Sequence, residues 1–216
     1  MQIDLKVKNI VLVGSFNVSL FDKYFFIKNQ IIDETDLQPN SFLSMGNFGA
    51  QVVNRKFNIV ISANQIVVTS LVPEDNDEIN KVTSDIIRAA NVNSIDAMGI
   101  NFSWFLTDHE KSLEQLSREN FYGKEIKIFS KIFDKPDSLF GVYVSTDFMN
   151  ARLKLDIKPS KMELVLNSNA VQDLINFAFN FHFVIKKRNI NTEVLKNLED
   201  YDSYKKESER VISIYK

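Results

Sequence analysis

An α+β fold with a mainly antiparallel sheet is predicted by three stretches of the chain. Phe57-Asn58-Ile59-Val60-Ile61 and Ile66-Val67-Val68-Thr69 flank Ala63-Asn64-Gln65, two β-branched runs around an Asn-containing turn, which is what a tight antiparallel pair requires. From Ile175 to Phe183 the alternation is strict. Phe177, Phe179, Phe181 and Phe183 share one face, and Asn176, Ala178, Asn180 and His182 share the other. Ile79, Val82, Ile86 and Ile87 fall on one side of a helix. The chain is 44% hydrophobic with 18 Phe and only 6 Gly and 4 Pro, which excludes a disordered or fibrous protein. At 216 residues it buries roughly 70% of the surface that its unfolded form exposes.

The remaining elements follow in order. Leu5 to Phe16 is rich in β-branched residues and halts at Gly14-Ser15, predicting a buried strand. Leu20, Phe21, Tyr24 and Phe25 predict a short helix within 17–26, and the Asp, Pro, Asn, Ser and Gly of 33–49 predict a long loop. A helix is predicted over 74–90, its first turn holding Glu74, Asp75, Asp77 and Glu78 against the positive end of the helix dipole. A strand over 94–106 places Ile100, Phe102 and Trp104 on one side. Thr107 and Glu110 fit a capping box that opens a helix to Glu119. Residues 124–133, 139–148, 152–158 and 162–166 read as consecutive strands, the last two joined by a turn at Pro159-Ser160. A C-terminal helix from about Asn191 carries Val194, Leu198, Tyr201, Val211 and Ile212.

So many Phe-bearing strands need a partner layer or each other, so the sheet is expected to be curved or barrel-like, built from hairpins and covered by three or four helices. No Pro-, Gly- or Ser-rich linker divides the chain, which predicts a single domain over 1–216 with structural halves at 1–120 and 121–216. Hairpins at 57–70 and 152–166, and the shared Ile100-Asn101-Phe102 and Ile175-Asn176-Phe177, suggest an internal pseudo-duplication.

Composition removes most catalytic classes. The absence of Cys excludes disulfides, thiol catalysis and Cys-ligated metals. A net charge of −2 disfavours bulk coating of nucleic acid. Gly46-Asn47-Phe48-Gly49 is the one close glycine pair and lacks neighbouring positive charge, and neither a phosphate-cradling loop nor a Gly-x-Ser-x-Gly elbow occurs. No run approaches the roughly 20 apolar residues of a membrane span, and charges interrupt the N-terminus, so a cytoplasmic protein without a membrane partner is expected. Twenty Lys against six Arg, with 22 Ile and 22 Asn, is the bias of AT-rich codons and points to a bacterial or phage source.

Few residues remain to carry chemistry. His109, between Asp108 and Glu110, reads as part of a helix start. His182 lies on the polar face of the Phe-rich strand, where it would contact a ligand if that face lines a groove. Asp147 followed by Asp156-Ile157-Lys158 on the next strand is the arrangement by which metal-dependent nucleases hold Mg²⁺ and orient a water. The same hairpin bears a basic strip of Arg152, Lys154, Lys158 and Lys161. Residues 151–188 hold seven basic side chains against three acidic ones. Three functions follow, in order of preference. The first is a non-catalytic protein-interaction or regulatory module, self-associating or binding a protein partner, accessory to a bacterial or phage conflict system. The second is a nucleic-acid-binding protein using the basic 152–161 hairpin, with Arg152, Lys154, Lys158, Lys161 and His182 as binding residues. The third is a Mg²⁺-dependent nuclease-like enzyme using Asp147, Asp156 and Lys158. The first two require no cofactor or metal.

Overall fold

A computed structural model of the chain describes residues 1–38, 40–44, 46–72, 78–92, 94–163, 171–186 and 190–215. Its strands are β1 (Gln2–Gly14), β2 (Phe42–Ser44), β3 (Gly49–Val53), β4 (Phe57–Ser62), β5 (Gln65–Ser70), β6 (Ile95–Thr107), β7 (Val142–Phe148), β8 (Ala151–Glu163) and β9 (Val171–Val184). The helices are α1 (Lys23–Lys28), α2 (Ile79–Ala90), α3 (Leu113–Phe121), α4 (Lys127–Ile132), α5 (Ile190–Glu199) and α6 (Tyr201–Ile212). All nine strands join one antiparallel sheet in the order β2-β3-β4-β5-β1-β6-β9-β8-β7. β1 is followed by a helix, a meander that returns to pair with β1, and a further helix. β6 is followed by α3, α4 and the strands β7 to β9, of which β9 pairs with β6.

Local chemistry explains the boundaries. The β4–β5 turn is fixed by Ser62 Oγ, which donates to Asn64 Oδ1 at 2.8 Å. Asn54 Oδ1 accepts from the backbone N–H groups of Lys56 and Phe57, an Asx turn that swings β3 into β4. Asp22 caps α1 by accepting from the Phe25 N–H at 2.7 Å. α2 ends at Asn91 in the left-handed region, φ 44°, where Asn is tolerated.

The alternating apolar residues form one continuous core between the sheet and the helices. Phe102, Phe177, Phe179, Phe181 and Phe183 are all buried in it, each burial contributing about 1.5–3 kcal/mol. α6 closes over the centre. Trp104 Nε1 donates to Ser208 Oγ at 3.1 Å, Tyr201 packs on Phe102, and Tyr204 packs on Phe148, Phe181 and Phe183. Burial there pushes the Tyr204 phenol up to about 12, with Asp200 adding to the shift. α2 lies on β1 and β5, and α3 on β8 and β9, so these helices occupy the same side.

Several expectations are corrected by this layout. The sheet is neither closed nor curled, because β2 and β7 stand at opposite edges and the Phe rings find their partner layer in helices. The capping box belongs to Ser112 and Gln115, since Thr107 is held as the last residue of β6. Residues 127–132 form α4 rather than a strand. Phe129 there packs on Tyr122 and Phe140, so tertiary ring contacts stabilise the helical turn. β8 runs straight through Pro159. β7 pairs only as far as Ile157, so the N–H that proline lacks falls beyond the strand that would have used it. Residues 33–49 include a short strand, β2. The expected acidic helix start at Glu74, Asp75 and Asp77, and the segment 164–166, lie outside the described residues. The two Ile-Asn-Phe segments lie on neighbouring strands without pairing with each other: Ile100 to Phe102 face Phe179 to Phe181, and Ile175 to Phe177 face Trp104 to Leu106.

Candidate functional site

With the packed helices on one side, the opposite face of the sheet has no cover among the described elements. The registers define its rows. Val60, Val67, Val11, Gly99, His182, Arg152 and Asp147 stand in line across β4, β5, β1, β6, β9, β8 and β7. The neighbouring row reads Asn58, Thr69, Asn9, Asn101, Asn180, Lys154 and Ser145.

This face divides sharply by charge. On β1, Val7, Asn9, Val11 and Val13 point outward along the stretch beside β5. On β5 it is Gln65, Val67 and Thr69, on β4 Asn58, Val60 and Ser62, on β3 Gln51 and Val53, and on β2 Leu43. None is charged, in a chain of which 25% is. Lys8, within this stretch, is turned to the buried side, and the nearest charges on the open face of β1, Asp4 and Lys6, lie past the end of β5 and pair with each other at 3.1 Å. Leu43, Val53 and Val13 are exposed and the others half-buried by their neighbours. Gln51 Nε2 donates to Asn58 Oδ1 at 2.9 Å, so these amides satisfy one another across strands.

At the centre, three asparagines form a ladder. Asn101 Nδ2 donates to Asn9 Oδ1 at 2.7 Å, and Asn180 Nδ2 donates to Asn101 Oδ1 at 2.6 Å. Neutral amides hold the β1, β6 and β9 register on this face without adding charge.

The charges gather on the β7–β8 hairpin, and most are neutralised there. Arg152 donates to Asp147 at 2.9 Å and to Ser145 Oγ at 2.6 Å. Lys158 pairs with Asp156 at 2.5 Å. Among the described residues Lys154 has no such ion pair, and it lies beside Asn180 and near His182. Burial, and then the Lys154 ammonium, hold the His182 imidazole below its ordinary 6.5. The folded chain therefore resists protonation that the unfolded chain accepts. Stability is expected to be unaffected by this group above about pH 6.5 and to fall as the pH drops through and below that value. Urea melts at pH 7 and 5.5 should differ less in His182→Gln than in the native chain. An NMR titration of His182 lying above 6.5 would contradict this account.

The residues singled out in sequence are only partly brought together. Arg152, Lys154, Asp156, Lys158, Asp147 and His182 share the open face. Asp147 lies opposite Arg152, whereas Asp156 lies opposite Tyr143, four residues along β8 from Arg152. That is about 13 Å at strand rise, too far for one Mg²⁺ with ligands at about 2 Å to touch both carboxylates. Lys161 lies elsewhere, in a cleft of about 470 Å³ with Asp108, His109, Lys111 and Asp173, 4.0 Å from the Asp173 carboxylate. It also adds to the lowering of the Glu114 carboxyl, which arises first from hydrogen bonds at the start of α3. His109 precedes α3 rather than lying in it. Lys187 and Arg188 are outside the described residues. Sequence reasoning missed the uncharged half of the face. Its signal was present in β4 and β5, whose outward positions hold Asn, Val, Ser, Gln and Thr but no Lys or Glu.

Among the described residues no three His, Asp or Glu side chains converge as metal ligands, and no helix is long and apolar enough to cross a membrane. No family model matches this chain, and no curated protein matches it in sequence.

Proposed function

We propose that this protein is a non-catalytic interaction module that docks a protein partner on the uncharged half of its open sheet face. The single observation that carries this reading is the lack of any charged side chain on the outward positions of β2, β3, β4, β5 and the adjoining stretch of β1 from Val7 to Val13. Solvated sheet faces normally carry Lys and Glu, and depletion of charge marks the core of protein interfaces. Nine strands spaced about 4.8 Å apart make a face about 38 Å wide. Over strands of about 17–20 Å, the whole face offers on the order of 700 Å², close to the ~800 Å² that each partner contributes to a standard interface. The uncharged half supplies the interface core, and the β7–β8 hairpin supplies a polar rim. Two of the hairpin's cations, Arg152 and Lys158, are weak phosphate ligands because they already serve Asp147 and Asp156, which leaves Lys154 as the cation to test.

The test is capture from cells that make the protein natively, comparing the unmodified chain with Val67→Asp and Lys154→Glu. A defined protein partner retained by the native chain and by Lys154→Glu, but lost by Val67→Asp, supports the reading. Equal retention by all three contradicts it. Salt-sensitive recovery of nucleic acid that disappears in Lys154→Glu favours the basic hairpin instead.

A further inference from the structure

The two edges of the sheet are built differently. β2 is three residues long and leads into the turn at 46–48. β7 has seven residues, Val142 to Phe148, with no Pro or Lys among them, and pairs with β8 without a register shift. Short length, Pro, Lys and bulges are the usual means by which an edge strand avoids pairing with another chain. Asp147 is the one charge on β7; Arg152 of β8 holds it and also donates to the Ser145 backbone oxygen at 3.3 Å, a bond that pairing at Ser145 would exchange for one to the second copy.

Next to this edge lies an unusual apolar surface. α4 has no buried residue, and Ile128 and Ile132, one turn apart, are 52% and 59% exposed. Val144, on the helix side of β7, is 49% exposed, and Met149 at the hairpin turn is 52% exposed. The ring of Phe129 on α4 packs against Phe140, two residues before β7, which places α4 at the beginning of that strand.

We infer that two copies of this chain associate edge to edge, pairing β7 antiparallel about Ser145 so that both sheets become one. The sequence is self-complementary in that register. Val142 meets Phe148 of the second copy and Val144 meets Thr146 on the helix side, while Tyr143 meets Asp147 on the open face, phenol to carboxylate. A two-fold axis through Ser145 is closed and isologous, so pairing ends at a dimer. It also carries α4, at the start of one β7, to the end of the other, where Ile128 and Ile132 cover Phe148 and Met149. The exposed apolar side chains at 128, 132, 144 and 149 are thereby buried together. The dimer leaves the open face free and doubles it on one side. It uses the free edge of β7 rather than the uncharged half of the open face, so the test of the one can fail while the other stands.

The register gives a direct test, because the chain has no Cys. In Ser145→Cys the two introduced thiols face each other, with Cα atoms about 4.5–5.5 Å apart, within disulfide reach. Mild oxidation should link two chains at least tenfold faster than in Val53→Cys on the other half of the sheet. Light scattering of the native protein should give twice the 24.9 kDa chain mass, falling to a single chain in Thr146→Lys and in Ile132→Glu. Val67→Asp should leave the dimer intact. A single-chain mass for the native protein at about 100 µM, or Ser145→Cys linking no faster than Val53→Cys, would overturn the inference. So would a dimer lost in Val67→Asp and kept in Thr146→Lys, which would place the contact on the open face. Circular dichroism identifies any variant that fails to fold, and Ser145→Cys, nearly isosteric, still decides the result in that event.

Discussion

Phe181→Ala is expected to destabilise the fold by about 3–5 kcal/mol, more than any change on the open face. The side chain is fully buried on β9, with ring centroids at 6.1 Å from Phe102, 5.9 Å from Phe148 and 5.1 Å from Tyr204. It therefore joins β6, β7 and α6 at one point. Its neighbours are rings fixed by backbone on three elements, so the vacated space cannot collapse cheaply and the cavity cost adds to the lost transfer free energy. One residue earlier, Asn180 points the other way, and Asn180→Ala should cost about 1 kcal/mol, the worth of one amide bond to Asn101. Urea denaturation followed by circular dichroism separates the two. A cost below about 1.5 kcal/mol for Phe181→Ala would mean that the Phe side of β9 is not the core.

The second large effect separates function from stability. Val67→Asp is expected to weaken binding of the protein partner by at least about 30-fold, equivalent to ~2 kcal/mol, while changing fold stability by no more than about 1 kcal/mol. Val67 stands between Val60 and Val11 in the central row of the uncharged half. In the free protein a carboxylate there is solvated, so the fold bears only a change in strand propensity. Under a docked partner the same carboxylate loses its water with no cation on this half of the face to meet it. Chemical denaturation and a titration with the isolated partner measure the two quantities. A large loss of stability with unchanged affinity would reverse the assignment of faces.

Much of this architecture is legible in the sequence because the alternation of side chains is itself physical. The hairpin at 57–70 follows from two β-branched runs around an Asn-containing turn, and the Phe face of 175–183 from the period-two patterning of a half-buried strand. The open rather than curved sheet is not legible. Whether Phe rings meet helices or a second sheet depends on the chain's path between strands, and no single stretch encodes that path. Residues 124–133 read as a strand because Ile126, Ile128, Phe129, Ile132 and Phe133 suit a strand as well as a helix, and packing of Phe129 on Phe140 decides between them. The capping box falls five residues later than expected because Thr107 and Ser112 both offer a hydroxyl followed at i+3 by Glu or Gln. β6 takes the first into its ladder.

For the site, the basic hairpin stands out because charge is conspicuous in sequence, yet Asp147 and Asp156 neutralise much of it. The uncharged face is hidden for the opposite reason, since an absence spread over five strands becomes a surface only once their order is known.

Hydroxyl-radical footprinting of the partner complex, read by mass spectrometry, tests the central claim most directly. Leu43, Val53 and Val13 are exposed in the free chain and lie on the uncharged half, whereas Tyr24 on α1 is exposed away from it. The account predicts strong protection of Leu43, Val53 and Val13 in the complex, with Tyr24 labelled as before. Protection of Tyr24 while those three side chains keep their free labelling rates would contradict it.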